Sequence, residues 1–382
     1  MLTFRTKAAF MLKRSRSKAR IRIRKTGSTA AADMISAAFT SAARMTLGAM
    51  TLATPTATPV KGKAPAGKGS PKPAKRPPAA KPHPRTAMPP RKASFRTDTH
   101  SCAFGTRRYK IYTPASAATS ADPMPLLIML HGCGQTPDDF AKGTRMNMLA
   151  EEFRLLVVYP AQTREAHPRR CWNWFRRGDQ LRDAGEPGLI ASLTRHVIRT
   201  HLVDPSRVYV AGLSAGASLA LILADAYPDM FAAVGAHSGL PVGAARDQTS
   251  ALMAMGQGNP GNRRIATVPT IVFQGGEDRV VNPRNGRFIA LRASEPYPRL
   301  RTTELRREVP RGHSYVKTIH RLGQGRPLIE HWLINGSGHA WSGGSSAGRF
   351  VDPAGPDASR EMVRFFLRHT LSARKRSAVP AF

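Results

Sequence analysis

From Pro125 onward the chain keeps repeating one pattern: a short apolar stretch, a glycine-rich loop, and a segment with helical spacing. "PLLIMLHG" (Pro125 to Gly132), "LLVVYP", "RVYVAG", "FAAVGAHSG" and "PTIVFQGGED" read as strands. Helices are expected from Pro137, with Thr136 as N-cap and Asp138 and Asp139 in the first turn, from about Gly188 to His201, and over Ala215 to Ala226. Strands alternating with helices predict an α/β domain with a mostly parallel sheet covered by helices. In such sheets, sites gather in the loops at the C-terminal strand ends. After Leu300, "TELRREVP", "HSYVKTIHR" and "PLIEHWLIN" read as closing strands, and a helix of about Ser359 to Leu371 ends the domain. Residues 240 to 265 show no clear period.

Ahead of this domain, residues 1–95 differ in kind. Asp33 is their only acid, and they carry much of the +35 formal charge of the 382-residue chain. Rich in Lys, Arg, Pro and Ala, they offer little to bury and much to repel, so they are expected to be disordered. Such a tail either contacts polyanions or anionic surfaces through counterion release or is a solubilising extension without a dedicated partner. Ile35, Phe39, Ala42 and Met45 fall near one face of a short amphipathic helix. The same interval resembles a secretory signal, but Arg44 interrupts its apolar run. No apolar run approaches the ~18 to 20 residues of a membrane span. The expected division is therefore 1–95 as extension, 96–371 as catalytic domain and 372–382 as a short basic tail.

Within the domain, "GLSAGA" puts Ser214 between glycines where a strand ends and a helix begins. That sharp turn exposes a serine hydroxyl above a sheet, with backbone N–H groups pointing from the helix start. A serine hydroxyl needs a base to take its proton, and the base needs a carboxylate to fix its tautomer. In this architecture the chain order is serine, acid, histidine. Asp278, directly after a strand and before "RVV", is the candidate acid, with Glu277 as the alternative. His339, in the loop "GSGHAWSGG", is the candidate base, whereas His313, His320, His331 and His369 sit on or beside strands and a helix. Two backbone N–H donors should hold the oxyanion, one from Ala215 and one from the loop after "LIMLHG", at Cys133. His131 and Gly132 shape that loop.

Taken in order, "LHGCGQTPDDFA", "CWNWF", "GLSAGA", "FQGGEDRVVNP" and "GHAWSGG" resemble the esterase family of polyhydroxybutyrate (PHB) depolymerases, with relatives among feruloyl and acetylxylan esterases. The resemblance implies an α/β-hydrolase fold, no metal or organic cofactor, and ester hydrolysis through an acyl-enzyme. It carries over Ser214, Asp278 and His339 as the triad and Cys133 as an oxyanion contributor. It implies a hydroxyalkanoate-type ester as substrate, with a feruloyl or acetyl carbohydrate ester as the alternative. A third reading is a polyanion- or granule-binding protein whose hydrolase domain is inactive. The resemblance favours export, whereas the lack of a clear signal favours the cytoplasm. Cys133 and Cys171 both flank site loops and are candidates for a disulfide, which would fit an oxidising compartment. Trp172, Trp174 and Trp341 are candidates for an apolar acyl-binding wall. Oligomeric state is not legible.

Overall fold

A computed structural model describes residues 93–118, 121–264 and 266–372. The expected extension, with its amphipathic helix and its polyanion contact, lies outside the described residues except for Ala93 to Phe95. The basic tail likewise lies outside them except for Ser372. Ser94 and Phe95 already belong to the first strand, so the folded domain begins slightly before the expected boundary.

Six parallel strands form the centre of a ten-stranded sheet: β4 (Leu156–Pro160), β3 (Met124–Leu130), β5 (Val203–Leu213), β6 (Ala233–His237), β7 (Thr270–Gly275) and β10 (Pro327–Ile334), in that spatial order. The antiparallel pair β1 (Ser94–Cys102) and β2 (Gly105–Thr113) extends it beyond β4. Beyond β10 the antiparallel strands β9 (Ser314–Leu322) and β8 (Leu300–Glu308) extend the other side. This is the mostly parallel α/β-hydrolase arrangement that the sequence predicts.

Strands β3, β4, β6 and β7 are buried along their whole length because helices cover both faces. Alternate side chains go to opposite cores. Leu126, Ile128 and Leu130 of β3 and Val208 and Val210 of β5 pack with α3 (Gly185–Thr200) and α4 (Ala215–Ala226). Leu127, Met129, Tyr209 and Ala211 face the other way, toward α1 (Pro137–Thr144), α2 (Met146–Phe153) and α7 (Ala358–Phe366). The Thr136 hydroxyl caps α1 by accepting the Asp139 N–H at 3.2 Å.

Two helices have no counterpart in the sequence reading. α5 (Gln248–Gln257) buries only Ala251 and Ala254, so it carries no apolar stripe; a capping box between Asp247 and Ser250 starts it instead. In α6 (Arg284–Ser294) the buried face is made largely of Asn285, Gly286, Ala290 and Ala293, whose small or polar side chains hide the period.

Four histidines are buried in neutral form. Burial pulls His131, His331 and His369 down to about 4 and His237 to about 3. Unfolded histidine titrates near ~6.5, so between that pH and the folded values the unfolded chain binds protons that the native protein does not. This stability is fully present above the unfolded value and is lost as pH falls through the folded ones. Each histidine contributes a slope of up to about 1.4 kcal/mol per pH unit. Urea midpoints measured from pH 7 to pH 5 should therefore fall steadily, and a flat profile would contradict the burial of neutral imidazoles.

Candidate active site

Ser214 is the one residue between β5 and α4, and it takes φ 56° and ψ −120°. A positive φ at a residue with a β-carbon costs of order 1–3 kcal/mol and persists only where the surroundings impose it. Here they do. The Ser214 N–H donates to the His237 carbonyl at 2.9 Å, tying the turn to the end of β6. A β-carbon at Gly216 would stand 2.1 Å from the Leu130 carbonyl oxygen, and one at Gly212 would stand 2.4 Å from the backbone of Gly216. The two glycines let α4 meet the sheet backbone to backbone and force the chain to reverse at the serine. Ala215 opens α4, so its N–H has no partner within the helix.

Asp278 follows β7, which lies two strands from β5 in the sheet, with β6 between them. One of its oxygens accepts the backbone N–H groups of Val280 (2.9 Å) and Val281 (2.8 Å). The other accepts Gln274 Nε2 at 3.1 Å and His339 Nδ1 at 2.7 Å. Burial alone would raise this carboxyl, but the adjacent His339 and the donated hydrogen bonds outweigh it and hold its pKa below the ordinary aspartate value. An ionised carboxylate only accepts, so His339 carries its proton on Nδ1 and leaves Nε2 as the basic nitrogen. Glu277 is exposed on the same turn, and its N–H donates to the Ser337 carbonyl at 2.9 Å. Asp278, not Glu277, is thus the carboxylate brought to the histidine.

His237 joins the two halves. Its carbonyl holds the Ser214 N–H, while its ring Nε2 accepts the Ser342 N–H at 3.0 Å, three residues past His339. The ring stacks on Phe273 and Trp341, with centroids 5.7 and 5.1 Å away. Burial, reinforced by neighbouring His339, keeps it neutral, the state in which Nε2 can accept. Sequence reading passed over His237 because a histidine at a strand end has no local signature.

The loop after β3 is held just as closely. His131 Nδ1 donates to the Gly132 carbonyl at 2.8 Å and its Nε2 accepts the Gln162 N–H at 3.1 Å. The Gly132 N–H donates to Gln135 Oε1 at 2.9 Å. A planar trans peptide directs its N–H opposite to its C=O, so engaging the Gly132 carbonyl fixes the direction of the Cys133 N–H. Cys133 and Cys171 are joined by a disulfide with Cα atoms 4.3 Å apart, tying this loop to the "CWNWF" loop. Beneath it, buried Glu186 accepts the Asn173 backbone N–H at 2.7 Å and the Asn173 side chain at 2.8 Å, and also accepts from Gln162. Among the described residues no three His, Cys, Asp or Glu side chains gather as a metal-ligand set.

The family model described as esterase PHB depolymerase matches residues 107–278, from β2 through the loop after β3 and Ser214 to Asp278. Over those residues the chain is similar to this esterase family. The chain is 30% identical over 232 residues to poly(3-hydroxyalkanoate) depolymerase C of Paucimonas lemoignei, covering 56% of this chain and 54% of that one. It is 32% identical over 141 residues to poly(3-hydroxybutyrate) depolymerase of Ralstonia pickettii (35% and 29% covered) and 30% identical over 138 residues to feruloyl esterase B of Talaromyces funiculosus (36% and 37%). The chain spans about half the length of these curated relatives or less. In fold it is similar to an acetyl xylan esterase from Aspergillus awamori, with TM-score 0.55, 18% identity, and 72% of this chain and 99% of that one covered.

One expectation about this site is corrected. Trp172, Trp174 and Trp341 do not form an open acyl-binding wall; they are 0%, 5% and 1% exposed. Trp172 donates its ring N–H to the His131 carbonyl at 3.0 Å, Trp341 donates to Ser359 Oγ at 3.0 Å, and Trp174 packs edge-on against Phe175. Sequence places them in loops beside the cleft, but these loops fold inward, so the indoles brace the site from below. Cys102 is the one unpaired cysteine of the three. Thiol titration of denatured, unreduced protein should accordingly find one thiol per chain, and three would contradict the Cys133–Cys171 bond.

Proposed function

We propose that this protein is a serine esterase that cleaves carboxylic esters, of hydroxyalkanoate type, through an acyl-enzyme on Ser214. Ser214 Oγ attacks the ester carbonyl carbon while His339 Nε2 takes the hydroxyl proton. Asp278 stabilises the imidazolium that forms. The negative charge developing on the carbonyl oxygen falls to the N–H groups of Cys133 and Ala215, one fixed by the braced loop and the other by the helix start. The alcohol leaves with the proton from His339. Water, deprotonated by the same nitrogen, then attacks the acyl-enzyme, releasing the carboxylic acid and restoring Ser214.

The observation that carries this reading is the buried Asp278–His339 hydrogen bond, together with a serine held at positive φ at the start of α4. Similarity to the esterase family over residues 107–278 supports it from an independent side. The disulfide supports an extracellular setting. Among the described residues no helix is long and apolar enough to cross a membrane.

Ser214→Ala should lower kcat for a short-chain chromogenic ester by roughly 10⁴-fold or more while leaving the far-UV circular dichroism unchanged. Retained activity would contradict the reading. A panel of hydroxybutyrate oligomers, feruloylated sugars and acetylated xylan then separates the substrate classes, with the highest kcat/KM expected on the oligomers.

A further inference from the structure

A cleft of about 430 Å³ opens beside the oxyanion loop, at the C-terminal ends of the parallel strands β3 and β4. Two of its wall residues also hold that loop: Gln135, whose Oε1 accepts the Gly132 N–H, and Gln162, whose N–H donates to His131. Arg170, another wall residue, directly precedes the disulfide-bonded Cys171. The cleft therefore shares wall residues with the side chains that hold the loop carrying the Cys133 N–H.

The lining carries an excess of cations. Lys110 is neutralised by an ion pair with Asp138. Arg108, Arg164 and Arg170 form no ion pair among the described residues, and Glu165 is the one remaining acid of the lining. A concave wall of guanidinium groups, each offering a planar fork of donors, is matched to a carboxylate. In a water-filled cleft the attraction survives better than on a convex surface, because low-dielectric walls focus the field.

Resting on the esterase reading, we propose that this cleft binds a carboxylate carried by the alcohol portion of the ester. When an oligomer of hydroxy acids is cut near its carboxyl end, the departing alcohol fragment carries that free carboxylate, whereas the interior of a long polymer has none. The cleft thus makes the enzyme selective for chain ends and short oligomers. An acylated sugar chain bearing a uronate supplies the same chemistry from a second source.

The test compares a 3-hydroxybutyrate trimer as the free acid with its methyl ester, and an acetylated xylo-oligosaccharide with and without a uronate branch. In the native enzyme the acid form of one pair should have a KM about tenfold lower than its neutral partner, the size of one charge-assisted hydrogen bond. That pair identifies the source. In the double variant Arg108→Gln/Arg164→Gln the ratio should fall to about one. Equal KM values for both pairs in the native enzyme, or a preference that persists in the variant, would overturn the proposal. Calorimetric binding of the trimer acid to Ser214→Ala reads the cleft without turnover: binding lost on adding the two arginine substitutions supports the site even if no ester in the panel is cleaved, and unchanged binding rejects it. Failure to hydrolyse the short chromogenic ester counts separately, against the esterase reading itself.

Discussion

Where α4 meets β3, the carbonyl oxygen of Leu130 occupies the space that any side chain at position 216 would need, with 2.1 Å to the position of a β-carbon. That contact fixes the distance between the helix start and the strand end more rigidly than side-chain packing could, because two backbones have no rotamers to yield. The loop that carries Cys133 begins at His131, the next residue after Leu130, and Ser214 immediately precedes the helix. One backbone contact therefore couples the start of α4, at Ala215, to the loop that carries Cys133. The positive φ of Ser214 follows from the same crowding, and tertiary packing offsets its cost.

Around that contact the remaining site groups are held by buried neutral and anionic side chains. His237 bridges the serine turn and the loop that follows His339, and it can do so only while unprotonated. His131 plays the parallel part for the loop that carries Cys133, with Gln162, Glu186 and the disulfide behind it. Asp278 is the converse case, an acid whose charge is favoured despite burial because its oxygens receive four donated hydrogen bonds. Burial keeps the imidazoles neutral, and hydrogen bonding keeps the carboxylate charged.

Much of this was legible in the sequence because local signals and global fold agree there. The strand–serine–helix junction, the Thr136 cap and the acid directly after β7 are each written in a few adjacent residues. What stayed hidden depends on contacts distant in sequence. Nothing near His237 says that Ser342, 105 residues on, will donate to its ring. The tryptophans were misread because a loop residue's sequence position does not say whether it turns toward the cleft or under it. Helix α5 escaped notice because only two alanines on it are buried, and the β1–β2 hairpin because much of it is exposed.

The central claim is that the constrained turn makes Ser214 the nucleophile. Treating the native protein with a fluorophosphonate and mapping the modified peptide by mass spectrometry tests it most directly. The account predicts one phosphonyl adduct per chain on Ser214, with loss of ester hydrolysis in proportion to labelling. Labelling at Ser218, Ser238 or Ser342 instead, or full hydrolysis after Ser214 is modified, would contradict it.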